Sequence, residues 1–545
     1  MNRLERQILL VDDQAIQLPT LSRRLTQDKY AVTVATNYAQ ARQLLETAHF
    51  HLAILDICLD HTAGRNEDGL RLLEDIEKLG LREIMPCIVL TAYGNEERAV
   101  RALQDLRAKI YVHKEPRYIA TVLEHVKALF ANDVGINFDI EYEGNSLTHL
   151  TNAIHDIHAA DTGWPPMEQL IPQARDLIGK LFPEASGVMI KPMPKGLSGS
   201  AVLRVRATYP RGGLAQWVVV KIGRGEKTKI EQDHCRAYVE RFLPAAHATH
   251  LTAKYTQHLG GLLYTLQNLD VGQTRDFADF YAKRPASQVI SALDNLFFKT
   301  CSLWYNNPSA LGYVNLRDLY LQAFELENQP ERIPNELAVL RSDINWQAET
   351  IRLEPPGTTL PNPVRWWRDS DAGMIAVSQR TTHGDLHAGN ILMDDKGECW
   401  LIDFYRTHPS HLLRDVVKLE VDIKFNLLDP QPAENFAEME QLLAGMKNPA
   451  DGVTLFKSQS PAMHKAVQVI VGLRQIAWRL LGGTVTTPSH NEFLYEYLYA
   501  LLMTTLNVLR LRHYKEIPRL QPYRELALLS AALICRELER LSPTK

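Results

Sequence analysis

The run His383-Gly384-Asp385-Leu386-His387-Ala388-Gly389-Asn390 places an Asp and an Asn five residues apart, and Asp403 follows eighteen positions beyond Asp385. That set suits phosphoryl transfer. Asp385 orients an attacking hydroxyl and accepts its proton, while the Asn390 amide oxygen and the Asp403 carboxylate hold Mg²⁺ against a nucleotide. His, Asp and Asn are also frequent in ordinary turns, so the reading needs matching parts upstream. Lys221 lies in the β-branched run WVVVKIG, where an ammonium is costly to bury unless it meets an anion. Ahead of it, Gly196, Leu197, Ser198, Gly199 and Ser200 make a glycine-bearing turn, expected between strands over 188–191 and 201–207. Its backbone N–H groups and small hydroxyls can approach phosphate oxygens closely. Glu231, in the helical stretch TKIEQDHCRAYVERFL, is the expected partner of Lys221, with Asp233 as the alternative. A strand over 262–266 leads into Gln267-Asn268-Leu269, whose backbone would meet an adenine ring.

A second constellation lies near the start of the chain. Apolar strands at 8–11, 32–35, LAIL, CIVL and IYV alternate with helical stretches around Leu18–Leu25, Ala39–Leu45 and Leu70–Leu79. This alternation predicts an α/β parallel sheet, in which ligands bind beyond the carboxyl ends of the strands. Four of the five strands end in a polar residue there: Asp12 with Asp13, Asp56, Thr91 and Lys114. Such acids gather Mg²⁺ and one of them takes the phosphoryl group, while the hydroxyl and the ammonium neutralise its oxygens.

Between the two sites, residues 131–185 read as a connector. Ile136, Phe138, Ile140 and Tyr142 alternate, predicting a short extended segment. Helices are expected over 147–157 and 167–181. In the second, Leu170, Ala174, Leu177, Ile178 and Leu181 share one face between the breakers Trp164-Pro165-Pro166 and Phe182-Pro183. Apolar faces of this kind must pack against a neighbour. From Phe277 the chain reads as largely helical, apart from an irregular piece over 328–380. Trp366 and Trp367 in that piece either line a substrate cleft or pack a core. Asp415, after Asp403, either braces the Asp385 loop or caps the helix it opens.

Residues 1–130 resemble the receiver domain of bacterial response regulators. The resemblance implies that Asp56 is the phospho-acceptor, and that Asp12, Asp13 and Asp56 bind the metal with the Cys58 carbonyl. It makes Thr91 and Lys114 the sensors of the phosphoryl group and Tyr111 the aromatic rotamer switch. The stretch CLDHTAGRNEDG carries about five extra residues before Gly69 and lacks the family's Pro, and Glu115 stands where a Pro usually follows the Lys. Residues 186–430 are similar to the aminoglycoside phosphotransferase and choline kinase branch of the kinase fold. The resemblance rests on Gly196, Gly199, Lys221, Glu231, Asp385, Asn390 and Asp403. Tyr405 replaces the Gly of that family's metal motif, and no Ala-Pro-Glu closes an activation segment. The receiver-plus-kinase-like pairing also resembles proteins of bacterial ternary-complex signalling systems.

Bulk properties set limits. The 545 residues imply about two to four domains. Sixty basic against 64 acidic residues leave a charge of −4, which advertises no polyanion-binding surface, so direct nucleic-acid binding is not expected. Six scattered cysteines show no CxxC pair or metal-ligand spacing, and no stretch is long and apolar enough for a membrane span. The cytoplasm is the expected compartment. The expected architecture is α/β, beginning with a flavodoxin-like receiver of five parallel strands (1–130) and a helical connector (131–185). A bilobal kinase-like α+β domain follows, with its N-lobe at 186–270 and a helical C-lobe at 271–545. The expected function is a two-component response regulator phosphorylated at Asp56 by a histidine kinase. Its output would be an ATP- and Mg²⁺-dependent phosphotransferase acting on a hydroxyl acceptor, a small molecule favoured over a protein. The alternatives are a nucleotide-binding pseudokinase-type scaffold or sensor, and a kinase that inactivates a drug.

Overall fold

In the computed structural model, the first third of the chain alternates strands and helices as the hydrophobic pattern requires. The structure describes residues 4–14, 18–59, 67–92, 100–161, 163–193, 199–210, 212–213, 215–244, 249–266, 275–306, 308–354, 357–369, 374–446, 460–482 and 489–541. The strands β1 (Arg6–Val11), β2 (Tyr30–Ala35), β3 (Leu52–Asp56), β4 (Cys87–Thr91) and β5 (Ile110–His113) form a parallel sheet of order β2-β1-β3-β4-β5. Helices α1 (Leu18–Gln27), α2 (Tyr38–Thr47), α3 (Asp68–Lys78) and α4 (Tyr118–Asn132) cover it. Its central strands are buried on both faces and read as unbroken apolar runs, as parallel strands under helices must. Two apolar cores result. One is built on Leu9, Val11, Leu55 and Val89, and the other on Ile8, Leu10, Ile54 and Ile88.

The connector is part of the same compact unit, which comprises residues 1–229 and 251–265. Its strand β6 (Glu141–Tyr142) joins a six-stranded sheet, and helices α5 (Ser146–Ala160) and α6 (Met167–Leu181) pack a core with that sheet. The other strands are β7 (Gly187–Pro192), β8 (Ala201–Thr208), β9 (Val218–Arg224), β10 (Thr249–Tyr255) and β11 (Leu259–Leu266), in the order β10-β11-β9-β8-β7-β6. Strand β6, within the stretch expected as a connector, pairs in parallel with β7 across the expected boundary at 185/186. Helix α7 (Gly225–His234) spans the division between the two compact units, the second of which holds residues 230–250 and 266–545.

The second unit is mainly helical, with three small sheets. Strand β12 (Arg275–Asp276) precedes α8 (Phe277–Lys283) and α9 (Ala286–Asn295). Strand β13 (Pro308–Asn315) leads to α10 (Leu316–Ala323) and α11 (Arg332–Leu340), and then to the hairpin β14 (Thr350–Leu353) and β15 (Thr358–Pro361). Helix α12 (Pro363–Arg368) and strand β16 (Met374–Thr382) follow. The stretch 328–380, expected to be irregular, is thus largely ordered in short elements, and β16 pairs with β13 about sixty residues away. Next come β17 (Ile391–Met393), β18 (Cys399–Leu401) and β19 (His408–His411), then α13 (Arg414–Asp422), α14 (Ala433–Ala444), α15 (Pro461–Gly482), α16 (His490–Val508) and α17 (Pro522–Leu541). Helix α16 starts on a capping box, in which Ser489 and Glu492 each satisfy the other's backbone N–H. It buries nearly its whole circumference, as an all-round apolar helix must. No helix among the described residues is long and apolar enough to cross a membrane.

Candidate functional site

The carboxyl edge of the receiver sheet gathers the residues predicted for it. Asp12 and Asp56 are buried, and carboxylate oxygens of Asp12, Asp13 and Asp56 lie within 4.8 Å of one another. Lys114 Nζ, just past β5, is 2.8 Å from Asp12 Oδ2 and 2.6 Å from Asp56 Oδ2. Burial pushes the Asp56 carboxyl up to about 6, against the pull of Lys114 and a hydrogen bond from the Cys58 backbone N–H. Three hard oxygen donors beside one ammonium fit a small divalent cation and the phosphoryl group it would accompany. Thr91 ends β4 and is buried, with its carbonyl accepting from Lys114 N–H at 2.7 Å. Tyr111 is half-buried on β5 and packs against the receiver core. Gly69 shows why its type is required. A Cβ there would stand 2.0 Å from the Asp56 carbonyl oxygen, and its own N–H donates to Ile57 O at 3.0 Å. The extra loop residues before it, 60–66, lie outside the described residues. After Lys114 the chain turns through Arg117 at φ +83 into α4, so the departure at Glu115 still yields a turn. Sequence reasoning missed Tyr118, whose hydroxyl lies within charge range of Lys114, Asp12 and Asp56.

In the six-stranded sheet, Lys221 is buried on β9, with Val202 and Leu262 as its register partners. Gly199 has φ +69, and a Cβ on Gly223 would stand 2.7 Å from Ser200 Oγ. A glycine at 223 therefore lets the turn's hydroxyl lie against β9. Gly196, Ser198, Gln267 and Leu269 lie outside the described residues.

In the second unit, Glu231 is buried and accepts the Phe404 N–H at 3.0 Å, which ties α7 to the segment just after Asp403. The Asp385 turn is fixed from three sides. Asp415 Oδ2 accepts from the His383 N–H (2.7 Å) and the Tyr305 hydroxyl (2.7 Å), and its Oδ1 accepts from the Gly384 N–H (2.9 Å). Of the two roles foreseen for Asp415, bracing the loop is the one observed. His383 is wholly buried, and its Nε2 meets Ile402 O at 3.0 Å, one residue before Asp403. Burial lowers its pKa, so it acts as a neutral Nε2–H donor linking the two acidic turns. Gly384 has φ +80, and a Cβ there would stand 2.1 Å from Arg406 O, so only glycine fits. Asn390 donates its amide to Asp385 O at 2.9 Å, and its backbone carbonyl accepts from Ile402 N–H at 3.1 Å. The oxygen end of that amide is the one with cation-binding chemistry. Asp403 itself takes φ +68, a left-handed conformation uncommon for a residue with a Cβ.

Lys418 was not singled out in the sequence. Its Nζ is 3.0 Å from Asp385 Oδ1. Burial opposes the charge on Asp385, but Lys418, His387 and Arg406 outweigh it and hold the carboxyl well below the usual range. It is thus an ionised hydrogen-bond acceptor at neutral pH. Trp367 is fully buried and donates to Pro330 O at 2.7 Å, which makes it core, while Trp366 meets the Tyr499 ring edge-on.

Back in the first unit, a third polar cluster went unread. Asp176 on α6 accepts from His49 Nε2 (2.5 Å) and His51 Nε2 (2.9 Å), which flank the end of the α2–β3 connection. The only sequence signal was a carboxylate set on the buried face of an amphipathic helix, between Ala174 and Leu177.

Comparison with known proteins finds two matching families. Residues 8–124 match the response regulator receiver domain. The transcriptional regulatory protein CusR of Escherichia coli K12 is 29% identical over 136 residues, 25% of this chain, and the chain spans only 56% of its length. An uncharacterized 14.6 kDa protein of Leptolyngbya boryana is 34% identical over 97 residues, covering 18% of this chain and 70% of that one. Among solved structures, a CheY-like receiver domain protein from Methanospirillum hungatei is 30% identical, with 24% of this chain and 96% of that one covered and a TM-score of 0.21. Thermotoga maritima TrrA in complex with Mg²⁺-BeF is 29% identical over 23% of this chain and 98% of that one, with a TM-score of 0.19. Residues 186–349 and 323–510 match ternary complex associated domain 9, stretches that overlap and together span more than half of the sequence. The chain thus belongs to the ternary complex associated domain 9 family and joins that domain to a response regulator receiver domain.

Proposed function

We propose that the second half of the chain is an ATP- and Mg²⁺-dependent phosphotransferase acting on a hydroxyl acceptor, under the control of the receiver. The observation that carries this reading is the rigid frame around Asp385. Asp415 holds the His383 and Gly384 N–H groups just before Asp385, His383 Nε2 meets Ile402 O just before Asp403, and the Asn390 amide donates to the Asp385 carbonyl. A turnover site needs such a pre-set base and metal-binding pair. In this reading Lys221, Glu231, Gly199 and Ser200 belong to the nucleotide-binding part, on a kinase-like bilobal plan. A histidine kinase phosphorylates Asp56, and Thr91, Lys114 and Tyr111 pass the change on. The coupling expected for such regulation is about 1–3 kcal/mol, a several-fold change in activity.

The test is ATP consumption by the full chain and by Asp385→Asn over a panel of hydroxylated small molecules and proteins. Acceptor-stimulated consumption that vanishes in the variant supports the proposal. Equal background in both would reduce this half to a nucleotide-binding scaffold. For the receiver, beryllofluoride with Mg²⁺ should bind the full chain and fail to bind Asp56→Ala.

A further inference from the structure

The surroundings of Asp385 bear on what kind of hydroxyl compound it serves. Lys418 Nζ already lies 3.0 Å from its Oδ1, and both side chains keep some exposure (24% and 32%). An acceptor hydroxyl must come within about 3 Å of the same carboxylate, so the acceptor's neighbouring substituents fall next to that ammonium. The other acids of this region are committed. Asp415 takes three donors, Asp422 takes the Ala388 N–H (2.7 Å) and Asn426 Nδ2 (3.1 Å), and Glu325 pairs with Arg406 (3.1 Å). Asp403 is the acid that the phosphotransferase reading gives to Mg²⁺, and the other groups named around Asp385 are basic or neutral. Arg406 donates to Ala323 O and Arg510 to Phe324 O, which sets two guanidinium groups at the end of α10. His387 Nδ1 accepts from the Gly389 N–H at 3.1 Å, so its proton, when the ring is neutral, sits on Nε2. His513 is held neutral, its pKa lowered to about 4 by burial and by the charges of Lys418 and His387. An acceptor bearing an ammonium would meet Lys418 and Arg406 head-on, and Asp415, Asp422 and Glu325 are already engaged. Trp367, an aromatic that could cradle such a cation, is buried in the core.

We propose that the acceptor of this site is an anionic hydroxyl compound, a phosphorylated or carboxylated polyol or sugar, and that Lys418 binds its anionic group beside the hydroxyl held by Asp385. This rests on the phosphotransferase reading but departs from the cationic acceptors that the resemblance to aminoglycoside and choline kinases would suggest.

The test is equilibrium binding by calorimetry to the full chain with Mg²⁺ and a non-hydrolysable ATP analogue. Two matched series serve as probes: glucose 6-phosphate, glucose and glucosamine; and glycerol 3-phosphate, glycerol and choline. In at least one series the anion should bind about tenfold or more tightly than its neutral counterpart, and the cation should not bind. Lys418→Met should abolish that preference and Lys418→Arg should retain most of it. Preference for the cation, no preference, or no binding in either series would overturn the proposal, with no variant needed. An anion preference that survives in a folded Lys418→Met would overturn the assignment to Lys418. Because binding is read without turnover, a Lys418-dependent preference alongside ATP consumption indifferent to Asp385→Asn would sink the phosphotransferase reading and leave the anion site standing.

Discussion

Replacing Asp176 with Asn should loosen the receiver from the connector, and the structure sets the scale of the effect. Asp176 is wholly buried, and its Oδ2 accepts from two imidazoles at 2.5 and 2.9 Å. His51 Nδ1 accepts the Gln7 N–H at 2.9 Å, so the His51 proton sits on Nε2 and points at Asp176. The seam also holds Gln169 Nε2 to Thr47 O (2.7 Å) and Gln257 Nε2 to Leu45 O (3.2 Å), and Phe138 packs against His51 and Phe130. Each hydrogen bond to a buried charge contributes about 1.5–3 kcal/mol, so losing the carboxylate should cost about 3–5 kcal/mol of first-unit stability. Burial disfavours the charge on Asp176, but His51 and His49 outweigh it and lower its pKa. Folding therefore depresses this carboxyl. Its stabilisation is complete above the unfolded value of about 3.9 and fades as pH falls below it. The assay is amide exchange in α2, β3 and α6 with urea unfolding, at pH 7 and in an acid series. Asp176→Asn should speed exchange on both sides of the seam at pH 7 and flatten the acid dependence there. A stability change under about 0.5 kcal/mol would refute the reasoning, as would faster exchange confined to α6.

Three further predictions concern the second unit. Glu420 is buried, and Arg474 and Lys424 hold its pKa at about 2 against burial, well below the ordinary 4.5; the gap corresponds to about 3 kcal/mol, present above pH 4.5 and lost as pH falls toward 2. Glu420→Gln should lower thermal stability at pH 7 by about that amount, with little difference from wild type in strong acid. Gly384→Ala places a Cβ 2.1 Å from Arg406 O at φ +80, so it should cost about 3 kcal/mol or more and remove Asp385-dependent ATP consumption. Asp415→Asn should keep nucleotide affinity within a few-fold while lowering kcat about a hundredfold, because it loosens the turn and leaves the cradle alone.

What could be read in advance depended on range in sequence. Helix α6 falls on the expected 167–181 because five apolar residues share a face between proline breakers, a wholly local signal. The receiver strands announced their chemistry because four of the five end in a polar residue, and a parallel sheet brings those ends together. Pairing of β13 with β16 stayed hidden because no local pattern names a partner about sixty residues away. Lys418 is the sharper case. Its helix α13 reads as an apolar stripe of Val416, Leu419 and Ile423, and a Lys between them looks like a solvated residue. Yet Asp415, Lys418 and Asp422, three and seven positions along, share one face of that helix. On that face they hold the His383–Gly384 backbone, the Asp385 carboxylate and the Ala388 N–H respectively. The opposite anchorage is Glu420, locked to Arg474 of α15 and Tyr497 of α16. Its neighbour Lys424, just past α13, pairs with Glu420 and with Glu440 of α14. One short helix therefore reaches the loop at three points and the helical bundle through a buried ion network. A rigid body with both attachments can keep Asp385 placed although it lies in a turn, and a shift of α13 would move all three loop contacts together.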